Sequence, residues 1–193
     1  MKLVFATHNP NKLYEVQLLM PKHITLLSLD DIGCSEEIPE TSETLQGNAK
    51  LKADFVTEQY GMPCFADDTG LLVDALKGEP GVYSARYAGE QKSADDNMDK
   101  LLEALNGTEN RAAHFKTVIA LNLTNECHSF EGIINGNITT EKLGDGGFGY
   151  DPIFRPEGYQ ETFAQLSIEM KNKISHRGRA LQKLIKKLQT TVL

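Results

Sequence analysis

Residues 63–76 read PCFADDTGLLVDAL, so two adjacent aspartates, Asp67 and Asp68, sit inside otherwise apolar sequence. Adjacent carboxylates repel, and a charge taken out of water without a partner is costly. A chain that buries this segment must therefore bring cations, a metal ion or hydrogen-bond donors to it from elsewhere. The flanks CFA and LLV place the pair where a buried strand ends. One reading makes it a hard-metal site, because carboxylate oxygens suit Mg²⁺ and Mg²⁺ in turn bridges phosphate oxygens. The other makes it a turn in which one aspartate bonds its own backbone.

The surrounding pattern predicts an α/β protein with a mixed central sheet and flanking helices. KLVFA (2–6) reads as a buried strand and THNPNK as a turn. Leu13, Val16, Leu19 and Met20 then recur at helical spacing over 11–20, and ITLLSL (24–29) reads as a second strand. Strand, turn, helix and strand in this order open an α/β sheet. Residues 30–43 are acidic and polar and read as a loop. TLQGNAKLKADFVTEQYG predicts a helix with Leu45, Ala49, Ala53, Val56 and Tyr60 on one face, closed by Gly61 and Pro63. Asn48 and Lys52 lie four apart and share a side of that helix. Ser93 caps a helix over 93–106 that turns Met98, Leu101, Leu102 and Leu105 inward and stops at Gly107. Two strands, 112–123 and 127–138, are joined by a hairpin at Thr124–Glu126. A final helix starts near Ser175 and buries Ala180, Leu181, Leu184, Ile185 and Leu188. The whole chain, 1–193, reads as a single domain.

Charge narrows the partners. A net charge of −7 and a pI of about 5.3 argue against a nucleic-acid polymer, which calls for a broad basic surface, and leave room for a small anion held by local cations. The three cysteines, Cys34, Cys64 and Cys127, share no metal-ligand spacing and read as reduced thiols of a cytoplasmic protein. No stretch reaches membrane-spanning length and the N-terminal apolar run is too short for a signal peptide, so no membrane partner is expected.

Three further segments carry candidate chemistry. In FATHNPNK a strand turns into a helix. It reads either as a phosphate cradle of backbone N–H groups, Thr7, Asn9 and Lys12, or as plain capping by Asn9 with Pro10 at the first helical position. In GDGGFGYDP four glycines, Gly144, Gly146, Gly147 and Gly149, let backbone approach a ligand while Phe148 and Tyr150 stack on a base. The alternative is a loop with buried aromatics. EMKNKISHRGRAL gathers Lys171, Lys173, His176, Arg177 and Arg179 at a helix start, either for phosphate or a carbonyl-bearing base or as a solvated basic face.

THNPNK, GNAKLKA, FADDTGL, PGVYSARYAG, GFGYDPIF and SHRGRAL, in this order, resemble the Ham1-like purine nucleoside triphosphate pyrophosphatases, or inosine triphosphatases. The resemblance runs from residue 5 to residue 181. It implies two lobes around a substrate cleft, a homodimer, and Mg²⁺-dependent hydrolysis of inosine, deoxyinosine and xanthosine triphosphates to monophosphate and pyrophosphate, which clears deaminated purines from the nucleotide pool. It implies that Thr7, His8, Asn9, Pro10, Asn11 and Lys12 hold the triphosphate and that Asp68 serves metal and catalysis, with Thr69 on the substrate. Lys52 would face the phosphates. Phe148, Gly149, Tyr150, Asp151, Lys171, His176 and Arg177 would take the nucleoside. Gly47 stands where the family often has an acid, so the second metal ligand falls to Glu40 or Glu43. The competing readings are a Maf-like nucleotide pyrophosphatase with a different base choice and a nucleotide-binding sensor without turnover.

Overall fold

The computed structural model describes residues 1–123 and 126–191. Strand β1 (Lys2–Phe5) runs parallel to β2 (Thr25–Leu27) on one side and to β3 (Cys64–Val73) on the other. Parallel neighbours need crossovers. Helix α1 (Pro10–Leu19) provides the first and α2 (Leu45–Tyr60) the second. Then follow β4 (Pro80–Gly81), α3 (Ala94–Ala104), β5 (Ala112–Asn122), β6 (Cys127–Ile138), β7 (Phe154–Pro156), α4 (Ile168–Ile174) and α5 (His176–Thr191). The strands form one mixed sheet in the order β2-β1-β3-β5-β6-β7, with β4 antiparallel on β3 and β7 antiparallel on β6. The mixed α/β class read from the sequence is the class observed. Among the described residues no helix is long and apolar enough to cross a membrane.

The chain divides into two compact units. The first comprises Met1–Asp68, Thr117–Gly132 and Arg177–Leu193; the second comprises Thr69–Lys116 and Ile133–His176. In the first unit the period-2 alternation of a strand sorts side chains to two cores. Leu3 and Phe5 of β1, Phe65 of β3, and Ile119 and Leu121 of β5 join Val16 of α1 and Ala180, Leu181, Leu184 and Leu188 of α5. Val4, Ala6, Cys64, Ala66 and Ala120 turn the other way, onto Ala49, Ala53 and Val56 of α2. The second unit has its own core, built from Leu71 and Val73 of β3, Met98, Leu101 and Leu105 around α3, Phe115, Ile134, Ile138, Phe154 and Phe163.

Helix boundaries follow local chemistry. Thr44 caps α2 by accepting from Gly47 N at 3.0 Å, and Gly61 ends it with φ +64. Ser93 caps α3 through Asp96 N at 3.2 Å. Three expectations change. The aspartate pair does not end a strand: β3 runs on through both to Val73, because the charges are paired and the ladder can continue. The basic segment near residue 170 is not one helix start but two helices, α4 capped by Ser167 and then α5, separated by Ser175 in extended conformation. Of the hairpin expected at Thr124–Glu126, residues 124 and 125 lie outside the described residues, while Leu123 N donates to Glu126 O at 2.8 Å.

Phe5 and Phe65 stack with centroids 4.6 Å apart, fully buried where β1 meets β3. Phe65→Ala should lower unfolding free energy by about 3–5 kcal/mol, measured by urea denaturation.

Candidate active site

Three lysine and arginine side chains of the first unit converge on the two aspartates. Lys12, in the first turn of α1, donates to Asp67 Oδ1 at 2.9 Å. Arg177, in the first turn of α5, donates from Nε to Asp67 Oδ2 at 3.1 Å and from Nη1 to Glu15 Oε2 at 2.7 Å. Lys52 of α2 bonds Glu40 and lies 3.8 Å from Asp68 Oδ1. Asn48, one helical turn before Lys52, accepts from Ser42 N at 2.8 Å and donates to Asp68 Oδ2 at 3.2 Å. The helical spacing of Asn48 and Lys52 thus puts a neutral donor and a cation against the same carboxylate.

The two aspartates end up with different electrostatics. Burial alone would push Asp67 up, but Lys12, Arg177 and Lys52 outweigh it and hold the carboxyl well below the usual range. Asp68 is pushed up to about 6, chiefly by burial and also by Glu40, against the pull of Lys52, Lys12 and the Asn48 hydrogen bond. Burial works against the charge on Lys52, yet Asp68, Glu40 and Asp67 together raise it above its ordinary value. Lys12 is lowered, first by burial and then by Lys52 and Arg177, with Asp67 opposing. Asp67 is a settled counter-ion; Asp68 is a carboxylate poised near neutrality.

Asp68 and Glu40 meet at the Lys52 ammonium, and Glu43 is exposed and takes no part in that contact. Among the described residues no group of three or more His, Cys, Asp or Glu side chains forms a metal cage. One or two carboxylates are what Mg²⁺ uses where substrate phosphates complete its shell, so this donor set fits that ion. A Cβ on Gly47 would lie 1.9 Å from Ser42 Oγ, so an acidic side chain there would require Ser42 to move.

The THNPNK turn is capped as the simpler reading had it. Asn9 Oδ1 accepts from Asn11 N at 2.9 Å and Lys12 N at 3.2 Å, and Pro10 is the first helical residue. Thr7 Oγ1 accepts from Asn9 N at 3.1 Å, and the His8 ring meets Glu36 O at 3.0 Å. A phosphate would have to displace Asn9 Oδ1 to use the amides of Asn11 and Lys12.

In the second unit Asp151 organises the glycine-rich loop. Its Oδ2 accepts from Phe148 N at 2.7 Å and from Lys171 Nζ at 2.5 Å, both partners of the ion pair being buried. The Lys171 ammonium lies 4.6 Å from the Phe148 ring centroid. A Cβ on Gly147 would fall 2.1 Å from Asp151 Oδ2, and one on Gly146 would fall 2.7 Å from Ala164 O. These glycines make room for the chain's own Asp151 and Ala164. Gly149 has φ +63, and a Cβ built on it would meet nothing within 4 Å. Tyr150 is buried, and its hydroxyl donates to Ser84 O at 2.8 Å. His176 is buried with its ring stacked on Phe115, centroids 4.5 Å apart. Thr69 lies half-buried in β3 of this unit.

The expected site residues therefore form two sets. Lys12, Lys52, Asp68, Glu40 and Arg177 come together in the first unit; Phe148, Asp151 and Lys171 come together in the second. Arg177, expected beside His176 at the nucleoside, makes its ion pairs with Asp67 and Glu15 in the first unit. Glu15 was not legible as a site residue. It is an acid beside Val16 on an ordinary helix face, and its partner lies 162 residues later.

Fold and site define an α/β protein whose sheet carries a buried cation–carboxylate network. The chain belongs to the Ham1 family, whose family model matches residues 3–187. It is 62% identical over 191 residues to the dITP/XTP pyrophosphatase of Flavobacterium johnsoniae, covering 99% of this chain and 100% of that protein. It is 61% identical over 185 residues to the dITP/XTP pyrophosphatase of Flavobacterium psychrophilum, covering 96% and 97%. The structure of the Staphylococcus aureus Ham1 protein superposes with a TM-score of 0.90 at 38% identity, covering 99% of this chain and 100% of that one.

Removing one partner of a buried ion pair strands the other. Arg177→Met should cost about 3–5 kcal/mol in unfolding free energy. Adding Glu15→Gln should recover part of that loss rather than add to it, as measured by urea denaturation of both variants.

Proposed function

We propose that the chain, as a single domain over 1–193, hydrolyses deaminated purine nucleoside triphosphates (dITP, ITP and XTP) to the monophosphate and pyrophosphate. The observation that carries this reading is the pair of unequal aspartates. Asp67 is fully neutralised by Lys12 and Arg177, while Asp68 is held by Asn48 and Lys52 with its pKa raised to about 6. The activity named for the Flavobacterium relatives supports it.

In this reading the residues of THNPNK, Thr7 to Lys12, and Lys52 of the first unit take the triphosphate. Asp68 and Glu40 would hold Mg²⁺. That ion, when bound, supplies charge neutralisation on the phosphates and acidifies water. Asp68 takes the proton from the attacking water as general base. Asn48 keeps the Asp68 carboxylate in one orientation by donating to Oδ2. Lys52, kept charged by its acidic neighbours, stabilises the charge that builds up on the phosphates. Thr69, adjacent to Asp68, contacts substrate.

The nucleoside falls to the second unit. Phe148 and Tyr150 flank Gly149, whose open backbone admits a flat ring, and Phe148 gives stacking that does not distinguish purines. Lys171 and His176 supply hydrogen-bond donors. Hypoxanthine and xanthine present a 6-oxo acceptor, and adenine presents a 6-amino donor. Donor facing donor leaves buried groups unpaired, at about 1–3 kcal/mol each, and sites built for one hydrogen-bond pattern reject its opposite strongly. In this reading the discrimination rests on Lys171, His176 and Arg177, which like Lys171 is also engaged in an ion pair. The reading also takes the protein as a cytoplasmic homodimer. The three free thiols, Cys34, Cys64 and Cys127, support a reducing compartment.

Two experiments test the reading. With dITP and Mg²⁺, the products should be dIMP and pyrophosphate. Asp68→Asn should lower kcat by about 10²-fold or more, Lys52→Met should also lower it, and a chelator should abolish turnover. Release of orthophosphate and diphosphate would defeat the assignment of the cleaved bond, and binding without turnover would favour the sensor. In the second, kcat/KM is compared for dITP, XTP, GTP and ATP. The first two should be preferred strongly over ATP and more weakly over GTP, and His176→Ala should narrow the dITP/ATP ratio. Equal use of ATP would defeat the proposal.

A further inference from the structure

PGVYSARYAG is the motif that the proposed chemistry leaves without a role. Its backbone is pinned within the second unit at several points. Asn97 of α3 accepts from Ala88 N at 2.6 Å and donates to Ala85 O at 3.0 Å, and Lys100 donates to Tyr87 O at 2.5 Å. At the centre is Ser84, which is buried. Its hydroxyl accepts from Leu71 N of β3 at 2.9 Å and donates to Gly81 O at 2.6 Å. Its carbonyl accepts from the Tyr150 hydroxyl at 2.8 Å. Ser84 therefore joins the strand two residues beyond Thr69 to the middle of the GFGYDP loop.

That loop needs an external anchor. Gly147 and Gly149 both adopt positive φ, +71 and +63, where backbone is least restrained by side chains. Phe148 and Asp151 fold back on each other through Phe148 N to Asp151 Oδ2 at 2.7 Å. Between them the Tyr150 ring enters the core and its hydroxyl ends on Ser84. A shift of the Ser84 carbonyl moves Tyr150, and with it the flanking Gly149 and Asp151, the latter being the partner of Lys171.

We propose that Ser84 is a positioning residue for the nucleoside: by fixing Leu71 and Gly81 through its hydroxyl and Tyr150 through its carbonyl, it sets the geometry of the Phe148–Asp151 loop without touching substrate. The proposal rests on the function proposed above. It deepens that reading by separating nucleoside affinity from phosphate chemistry. The bonds of Ser84 run to Leu71, Gly81 and Tyr150, all within the second unit, and the proposal places the effect of losing the hydroxyl at the nucleoside end.

The test measures dissociation constants for inosine monophosphate and for pyrophosphate with Mg²⁺ by calorimetry, together with kcat and KM for dITP. Displacements on the order of 1 Å cost up to about 10²-fold. Ser84→Ala should weaken inosine monophosphate by about tenfold and raise KM for dITP, with kcat and pyrophosphate affinity little changed. Tyr150→Phe, which leaves the Ser84 hydroxyl bonds intact, should give the same split. The double variant should be no worse than the more affected single variant, because both break one connection. Equal weakening of both ligands, or additive losses in the double variant, would assign Ser84 a structural role only and overturn the proposal. Should Ser84→Ala not fold, Tyr150→Phe decides: unchanged inosine monophosphate affinity overturns it. A wild-type protein that binds no inosine monophosphate would overturn the functional reading itself, and that result is visible before any variant is made.

Discussion

The ion pairs of Asp67 hold the first unit in register with its own sequence. A carboxylate buried in β3 is tolerated because Lys12 reaches it from 55 residues earlier and Arg177 from 110 residues later. Those two residues sit in the first turns of α1 and α5, so one side chain ties two helices to one strand. The apolar cores would accept several helix rotations at modest cost, since dispersion and burial are not directional. The ion pairs do not, because an unpaired buried charge is far more expensive than a misplaced methyl group. Glu15 extends the same logic by giving the Arg177 guanidinium a second acceptor on α1.

Settling Asp67 is what frees Asp68. Lys12 and Arg177 are spent on the first aspartate, and Asp68 keeps Lys52, which it shares with Glu40, and the neutral amide of Asn48. Burial, helped by Glu40, outweighs the pull of Lys52, Lys12 and the Asn48 hydrogen bond, and its pKa rises to about 6. Neighbouring residues of one type thus acquire opposite characters through partners supplied by distant segments. Alternation along β3 also points them in opposite directions from the strand, so each meets a different set of helices.

The parts of this fold that could be read in the sequence are those governed by local rules. The cap at Ser93, the stop at Gly61, the apolar stripe of α5 and the two long strands β5 and β6 follow from period and capping chemistry. What could not be read depends on contacts far apart in the chain. Nothing local in CFADDTGLLV says that the strand survives its two charges; Lys12 and Arg177 decide that. The split between α4 and α5 turns on the extended conformation of Ser175, a residue with no strong bias of its own. Likewise, the glycines of GDGGFGYDP suggested approach to a ligand, and the steric demand at Gly146 and Gly147 comes from Ala164 and Asp151 of the same chain.

The same steric filling bears on the loop to which the proposed function assigns the nucleoside. A loop whose glycines are filled by its own neighbours is not loose. Gly147 admits the Asp151 carboxylate, Asp151 fixes Phe148 N and Lys171 Nζ, and Lys171 in turn lies against the Phe148 ring. Each contact uses the room made by the previous one. The donor character of Lys171 is thereby set by Asp151 before any base arrives, with the ammonium held in one place by a carboxylate and an aromatic face. Preorganisation of this kind favours discrimination, because a donor that cannot swing aside cannot relieve its clash with an adenine amino group. In the function proposed above, selection among purines then depends on how rigidly the loop is held, and the loop is held by packing and hydrogen bonds inside the second unit.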